Sequence, residues 1–98
     1  DYYIGLVTAE LKKQGVLENT MIVVAADNGR PFPRCKSRMY DSGIKTPWVV
    51  HFPEVIKSPS ATQSLISVND LSATCLELAG IKSPECVQGR SFLPLCRT

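Results

Sequence analysis

An α/β fold is predicted by three features of the sequence: two short apolar runs rich in β-branched residues, helical apolar spacing on either side of them, and turn residues bounding every run. Taken in order, Ile4, Val7 and Leu11 fall on one face of a helix spanning Tyr3 to Gln14, with Lys12 and Lys13 in its last turn and Gly15 placed to stop it. After Glu18-Asn19-Thr20, the continuous run Met21-Ile22-Val23-Val24-Ala25-Ala26 suits a strand buried on both faces, ending at Asp27-Asn28-Gly29. Residues 30–46 carry Pro31, Pro33 and Gly43 among several cations and read as a long loop, a length that in compact domains accompanies function or disorder. Pro47 opens a second strand, Trp48-Val49-Val50-His51-Phe52, closed by Pro53. A second helix follows Asn69-Asp70, either of which can cap it, places Leu71, Thr74, Cys75 and Leu78 on one face, and ends at Gly80. Residues 83–98 hold two prolines and a glycine and read as irregular.

Composition bounds the possibilities. The 98 residues make one domain at most, and a domain of this size buries only roughly two-thirds of its unfolded surface. The opening Asp1-Tyr2-Tyr3 lacks Met and enters a helix at once, which reads as a segment excised from a longer chain, a single partial domain over residues 1–98. Eleven cations against nine acids give a net charge of +2 without any block of like charge, so neither a nucleic acid nor a membrane surface is selected as partner. No apolar run approaches the ~18 residues of a membrane span. The four cysteines, Cys35, Cys75, Cys86 and Cys96, allow three pairings, and free thiols are the expectation.

The chemistry-bearing residues follow the first strand. Asp27 and Asn28 stand at a strand's carboxyl end, where open α/β sheets place their ligands. A carboxylate beside an amide carbonyl offers two hard oxygens suited to calcium or magnesium, although the tripeptide Asp27-Asn28-Gly29 also makes an ordinary turn. The loop then adds Arg30, Arg34, Lys36, Arg38 and Lys45 against the single acid Asp41, a cluster able to hold an anion by charge-assisted hydrogen bonds, or simply a solvated basic loop. His51, the one histidine, lies in a strand and is expected to face solvent or be satisfied locally. No triad, CxxC pair or phosphate-cradling glycine loop occurs. By themselves the residues suggest a cation site facing an anion and name no reaction.

The run from Thr20 to Pro53 resembles the carboxy-terminal half of the type I sulfatases of the alkaline phosphatase-like superfamily. In that family a buried strand ends in Asp-Asn-Gly, a loop delivers Lys and then Tyr-acid-Gly-Gly, and a strand ending in Trp-Pro or Phe-Pro follows. The matching stretches here are Met21 to Gly29, Lys36 to Pro47 with Tyr40-Asp41-Ser42-Gly43, and His51-Phe52-Pro53. Downstream, Ser67 to Thr74 and Leu76 to Ile81 look like the family's helix, and Gln88-Gly89-Arg90-Ser91-Phe92-Leu93-Pro94-Leu95 like its closing segment. Asn28-Gly29-Arg30-Pro31-Phe32-Pro33 further resembles the heparan N-sulfatase (sulfamidase) branch.

This resemblance implies a fragment of a three-layer sandwich with a central, mostly buried sheet flanked by helices. It implies that Asp27 and Asn28 are two ligands of one calcium ion and that Lys36 is a catalytic residue reaching the sulfate group, with Arg34 and Arg38 as further substrate contacts. The substrate would be a sulfated small molecule or glycan, the compartment periplasmic, extracellular or lysosomal, and the partner the rest of the sulfatase domain. The family's nucleophile is a formylglycine made from a Cys-x-Pro/Ala-x-Arg motif, which neither Cys35 nor Cys86 satisfies, since Ser37 and Gln88 stand at the Pro/Ala position. It is therefore expected in an amino-terminal part, and this chain alone is expected to be inactive. Ser42 stands where the family more often has a glycine, a departure that touches the loop's backbone rather than the ligand assignments. Two other readings remain at this point: a phosphate monoester or diester hydrolase of the same superfamily, and a catalytically silent fragment or binding module.

Overall fold

Four helices and two strands order the chain in the computed structural model, which describes residues 1–97 and divides into two compact units, Asp1–Glu54 and the stretch from Val55 onward. In the first unit, α1 (Tyr2–Lys13) ends where predicted. Gly15 adopts a left-handed φ of 73°. Its amide donates to Lys12 O at 3.0 Å, and that of Val16 donates to Leu11 O at 3.1 Å. That pair of bonds satisfies carbonyls the helix would otherwise leave open. A single 3-10 turn, Leu17–Asn19, leads into β1 (Ile22–Ala25).

β1 pairs antiparallel with β2 (Trp48–His51) in the register Ile22 with His51, Val23 with Val50, Val24 with Val49 and Ala25 with Trp48. One more bond, Ala26 N–H to Pro47 O at 3.3 Å, closes the base of the intervening loop. Within this chain the strands are half-buried rather than covered on both faces: Val24 is 39% and Val49 60% exposed. A two-stranded ribbon supplies no layer of its own to cover either face. His51 is exposed, as expected of it. The loop is not wholly irregular, because Asp41–Ile44 winds into the short helix α2.

In the second unit, α3 (Asn69–Leu78) ends at Gly80 through the same two-bond device, with Ile81 N–H on Leu76 O at 2.9 Å and Gly80 N–H on Glu77 O at 3.0 Å. Its start differs from expectation. Neither Asn69 nor Asp70 caps the helix; both lie inside it, and the Asp70 carboxylate reaches back to the Ser67 amide at 2.8 Å. This is the acidic half of a capping box, and a carboxylate in the first turn also complements the helix dipole. The closing segment, irregular apart from the short helix α4 (Leu93–Cys96), is fastened to α3. Asp70 also accepts the Arg90 amide at 2.8 Å, and Thr74, which is fully buried, accepts the Phe92 amide at 3.0 Å while donating to Asp70 O at 2.7 Å. Ala73, Phe92 and Leu93 complete the small core there, while Cys35, Phe52 and Gly29 are buried in the first unit.

All four cysteines are free. Among the described residues no helix is long and apolar enough to cross a membrane. Large apolar side chains lie on the surface: no residue of α1 is buried, and Tyr2, Tyr3, Leu6 and Val7 are each at least half exposed.

Candidate functional site

The site grows from the open end of the β1–β2 ribbon. β1 stops at Ala25, the Ala26–Pro47 bond ends the ladder, and Asp27-Asn28 are the first residues past it, both exposed. The Asn28 amide nitrogen donates to Gly29 O at 2.8 Å, which leaves its carbonyl oxygen, the hard-donor end, to accept a cation. The Asp27 carboxylate makes no hydrogen bond or ion pair among the described residues. One carboxylate and one amide oxygen side by side fit a hard divalent cation, which takes six to eight oxygens in the case of calcium. Among the described residues there is no group of three or more His, Cys, Asp or Glu that could complete such a site. The pair is therefore a fitting but partial donor set.

The loop folds back onto this corner. Gly29 N–H donates to Gly43 O at 3.1 Å, and Lys36 N–H donates to Arg30 O at 3.1 Å, so the backbone of Lys36 is tied two residues past Asn28. Gly29 and Gly43 are required for steric reasons. A Cβ at Gly29 would meet Ser42 O and the Gly43 Cα, and one at Gly43 would run into the carbonyls of Arg38 and Cys35. Arg34 (φ 63°) and Ser37 (φ 65°) hold left-handed backbone on either side of Cys35-Lys36. Such a conformation costs a non-glycine residue roughly 1–2 kcal/mol. Strain of this kind persists where the surrounding contacts over-determine it, and it clusters at functional sites.

Ser42 resolves the departure noted in the sequence. Its backbone stays out of the left-handed region, and its hydroxyl donates to Arg34 O at 2.9 Å, so the serine adds a brace across the loop. Beneath it sits Cys35, 4% exposed. Hydrogen bonding, with Ser42 first and then Arg30, holds the Cys35 thiol below its ordinary value against the upward push of burial. The Arg30 guanidinium also lies 5.9 Å from the centre of the Phe32 ring, within cation–π reach.

Of the cations expected to meet an anion, Arg34, Lys36 and Arg38 are all exposed, and their side chains form no hydrogen bond or ion pair among the described residues. The structure thus joins Asp27, Asn28 and Lys36 through one hydrogen-bonded backbone, while it leaves the side chains of Arg34 and Arg38 untied. Sequence reasoning marked Ser42 as a departure touching the loop's backbone and set Cys35 aside as a nucleophile, but gave neither a part in the site; the glycine beside Ser42 was a signal of a close backbone approach.

Residues 34–98 match the family model described as N-sulphoglucosamine sulphohydrolase, C-terminal. The chain belongs to this sulfatase family. The sulfatase segment is 40% identical over 93 residues to an ulvan-active sulfatase of Formosa agariphila, a match covering 95% of this chain and 16% of that protein. It is 34% identical over 104 residues to the N-sulphoglucosamine sulphohydrolase of Homo sapiens, covering 96% of this chain and 21% of that protein. The solved structure of BT4656 in complex with its substrate D-Glucosamine-2-N, 6-O-disulfate superposes with a TM-score of 0.84 at 28% identity, covering 97% of this chain and 20% of that one. The likeness bears out the α/β reading as a fragment of a sulfatase fold, here mixed helix and strand with a small antiparallel sheet. The segment spans about a fifth or less of the length of these relatives.

Proposed function

We propose that this segment is the carboxy-terminal, site-bearing part of a single sulfatase catalytic domain that hydrolyses a sulfate ester or a sulfamate on a sulfated small molecule or glycan. The observation that carries the proposal is the backbone unit joining Asp27-Asn28 to Lys36, with Lys36 N–H on Arg30 O and Gly29 N–H on Gly43 O, found in a chain of sulfatase family. It presents hard oxygens and an unpaired ammonium from one rigid corner.

In this reading Asp27 and Asn28 hold a calcium ion with ligands supplied from elsewhere in the enzyme, and that ion, when bound, polarises the sulfuryl oxygens. Lys36 contacts the sulfate group and offsets the charge that builds on the leaving atom, or supplies its proton. Arg34 and Arg38, both untied, add positive potential that attracts the anion. The nucleophile, a formylglycine, comes from another part of the enzyme, so the segment by itself is inactive. The rest of the domain covers the apolar faces of α1 and the ribbon. The same family reading puts the enzyme in a periplasmic, extracellular or lysosomal compartment.

The test is an assay of the whole enzyme, matured to carry formylglycine, on an aryl sulfate, a glucosamine N-sulfate and an aryl phosphate. Asp27→Ala and Lys36→Ala are run beside it. Turnover of a sulfate or sulfamate that collapses in both variants is the expected result. Turnover of the phosphate alone, or activity indifferent to both substitutions, overturns the reading.

A further inference from the structure

Every stretch of the loop that flanks Lys36 is tied to its neighbour Cys35. The Cys35 amide donates to Phe32 O at 3.1 Å and its carbonyl accepts the Arg38 amide at 3.1 Å, so a turn closes on each side of it. Its thiol donates to Pro33 O at 3.5 Å. Ser42 braces Arg34 O, and the carbonyl of Cys35 lies where a side chain on Gly43 would have to go. With the side chain 4% exposed, these contacts are sheltered from water, where a hydrogen bond gains strength from the lower dielectric. Burial also withholds the sulfur from solvent, so its part is in geometry and not in nucleophilic attack.

An exposed lysine keeps its side-chain rotamer freedom until its ligand arrives. What a fold can fix beforehand is the Cα from which it extends. At Lys36 the residue on its amino side is buried and hydrogen-bonded to three residues of the loop, Phe32, Pro33 and Arg38, while the residue on its carboxyl side holds a left-handed φ of 65°.

Resting on the reading in which Lys36 meets the sulfate group, we propose that Cys35 is a positioning residue: its buried thiol, bonded to Pro33 O between the turns that close on Phe32 and Arg38, fixes the backbone from which Lys36 reaches the substrate. A small side chain with a polar tip is what the place demands. Alanine fills too little and bonds nothing, whereas serine keeps both the size and the hydrogen bond. Ser42 acts in the same device from the opposite wall of the loop.

The experiment uses the whole matured enzyme and measures kcat, KM and Tm for Cys35→Ala, Cys35→Ser, Ser42→Ala, Lys36→Ala and the double variants Cys35→Ala/Lys36→Ala and Ser42→Ala/Lys36→Ala. Misplacement of a reacting group by an ångström can cost on the order of a hundredfold in rate, so Cys35→Ala is expected to lower kcat/KM by roughly tenfold or more. Cys35→Ser is expected to recover to within about threefold of the parent. In the Lys36→Ala background Cys35→Ala should cost less than about twofold, because residues that act through one another are not additive. A loss that is the same with and without Lys36, or a Cys35→Ala enzyme with parental kcat/KM, overturns the proposal. If Cys35→Ala fails to fold, the cycle between Ser42→Ala and Lys36→Ala decides by the same criterion. Lys36→Ala alone judges the underlying reading: parental activity there removes both it and the role given to Cys35, whereas a loss there with additive Cys35→Ala removes only the latter.

Discussion

The amide of Gly29 donates to the carbonyl of Gly43 at 3.1 Å, and neither residue has room for a Cβ: Ser42 and Gly43 crowd Gly29, and the carbonyls of Arg38 and Cys35 crowd Gly43. Fourteen positions apart in the chain, they pin the end of β1 to the far side of the loop. Everything between them, including Lys36, inherits that constraint.

Replacing Gly43 by alanine should therefore open the loop. Forcing a methyl group against the carbonyls of Arg38 and Cys35 is expected to cost about 1–3 kcal/mol, the usual penalty for overpacking. A thermal melt of the whole enzyme reads this as a lower Tm, and a melt unchanged from the parent contradicts the packing described.

Lys36→Ala should remove transition-state stabilisation without unfolding the protein, because the side chain is exposed and forms no hydrogen bond or ion pair among the described residues. Loss of one preorganised donor commonly costs about 100- to 1000-fold in kcat. Lys36→Arg keeps the charge but not the point-like ammonium and should recover only part of it. Steady-state kinetics on a sulfated substrate, with Tm measured alongside, separate this outcome from a folding defect.

Asp27→Ala should weaken calcium binding by roughly tenfold or more, since charge count and site rigidity set affinity for that ion. The measurement is the calcium dependence of Tm in the chelated whole enzyme, which rises with ligand only when the folded state binds it. A Tm that responds to calcium equally in parent and variant would exclude Asp27 as a ligand.

Asp70 gives the second unit a defined pH response. Its carboxyl is held below the ordinary value, first by the Arg90 amide and then by the Ser67 amide, against an upward push from burial, with the Arg90 charge adding the smallest downward pull. A carboxyl lowered on folding contributes stability that is complete above its unfolded value, about 3.9, and is lost as pH falls through the lower folded value. These two hydrogen bonds, exposed as they are, are together worth about 1 kcal/mol, or roughly a fivefold change in local opening. Amide hydrogen exchange at Ser67 and Arg90 should be several-fold faster in Asp70→Asn above about pH 4.5. The gap between variant and parent should close as both become neutral in stronger acid. A gap that persists there would show that the carboxylate is not what holds these amides.

Thr74→Val tests the other fastening of the closing segment. The methyl fills the same space, but the Phe92 amide loses the Thr74 hydroxyl that accepts from it in a fully buried place. Removing one buried acceptor costs about 1–3 kcal/mol, so a Tm equal to the parent's would show that this bond does not fasten the segment.

The sequence alone determined what depends on neighbours in the chain. Helical spacing and a glycine stop gave α1 and α3 their type and their ends, because a left-handed residue at Gly15 or Gly80 closes the last turn locally. β-Branched runs gave the two strands, and the motif order gave the family, leaving Asp27, Asn28 and Lys36 as the residues to examine. Tertiary structure decided whatever depends on residues far apart in the chain. It set Asp70 inside its helix, bonded to Ser67 and, twenty positions on, to Arg90. It made Ser42 a brace for Arg34 and buried Cys35 beside a lysine that stays exposed. It also left the strands half-covered, since burial depends on which layers lie against a strand and not on the strand's own apolar content. Periodicity reports the face a residue would present; only the fold supplies the partner that the face meets.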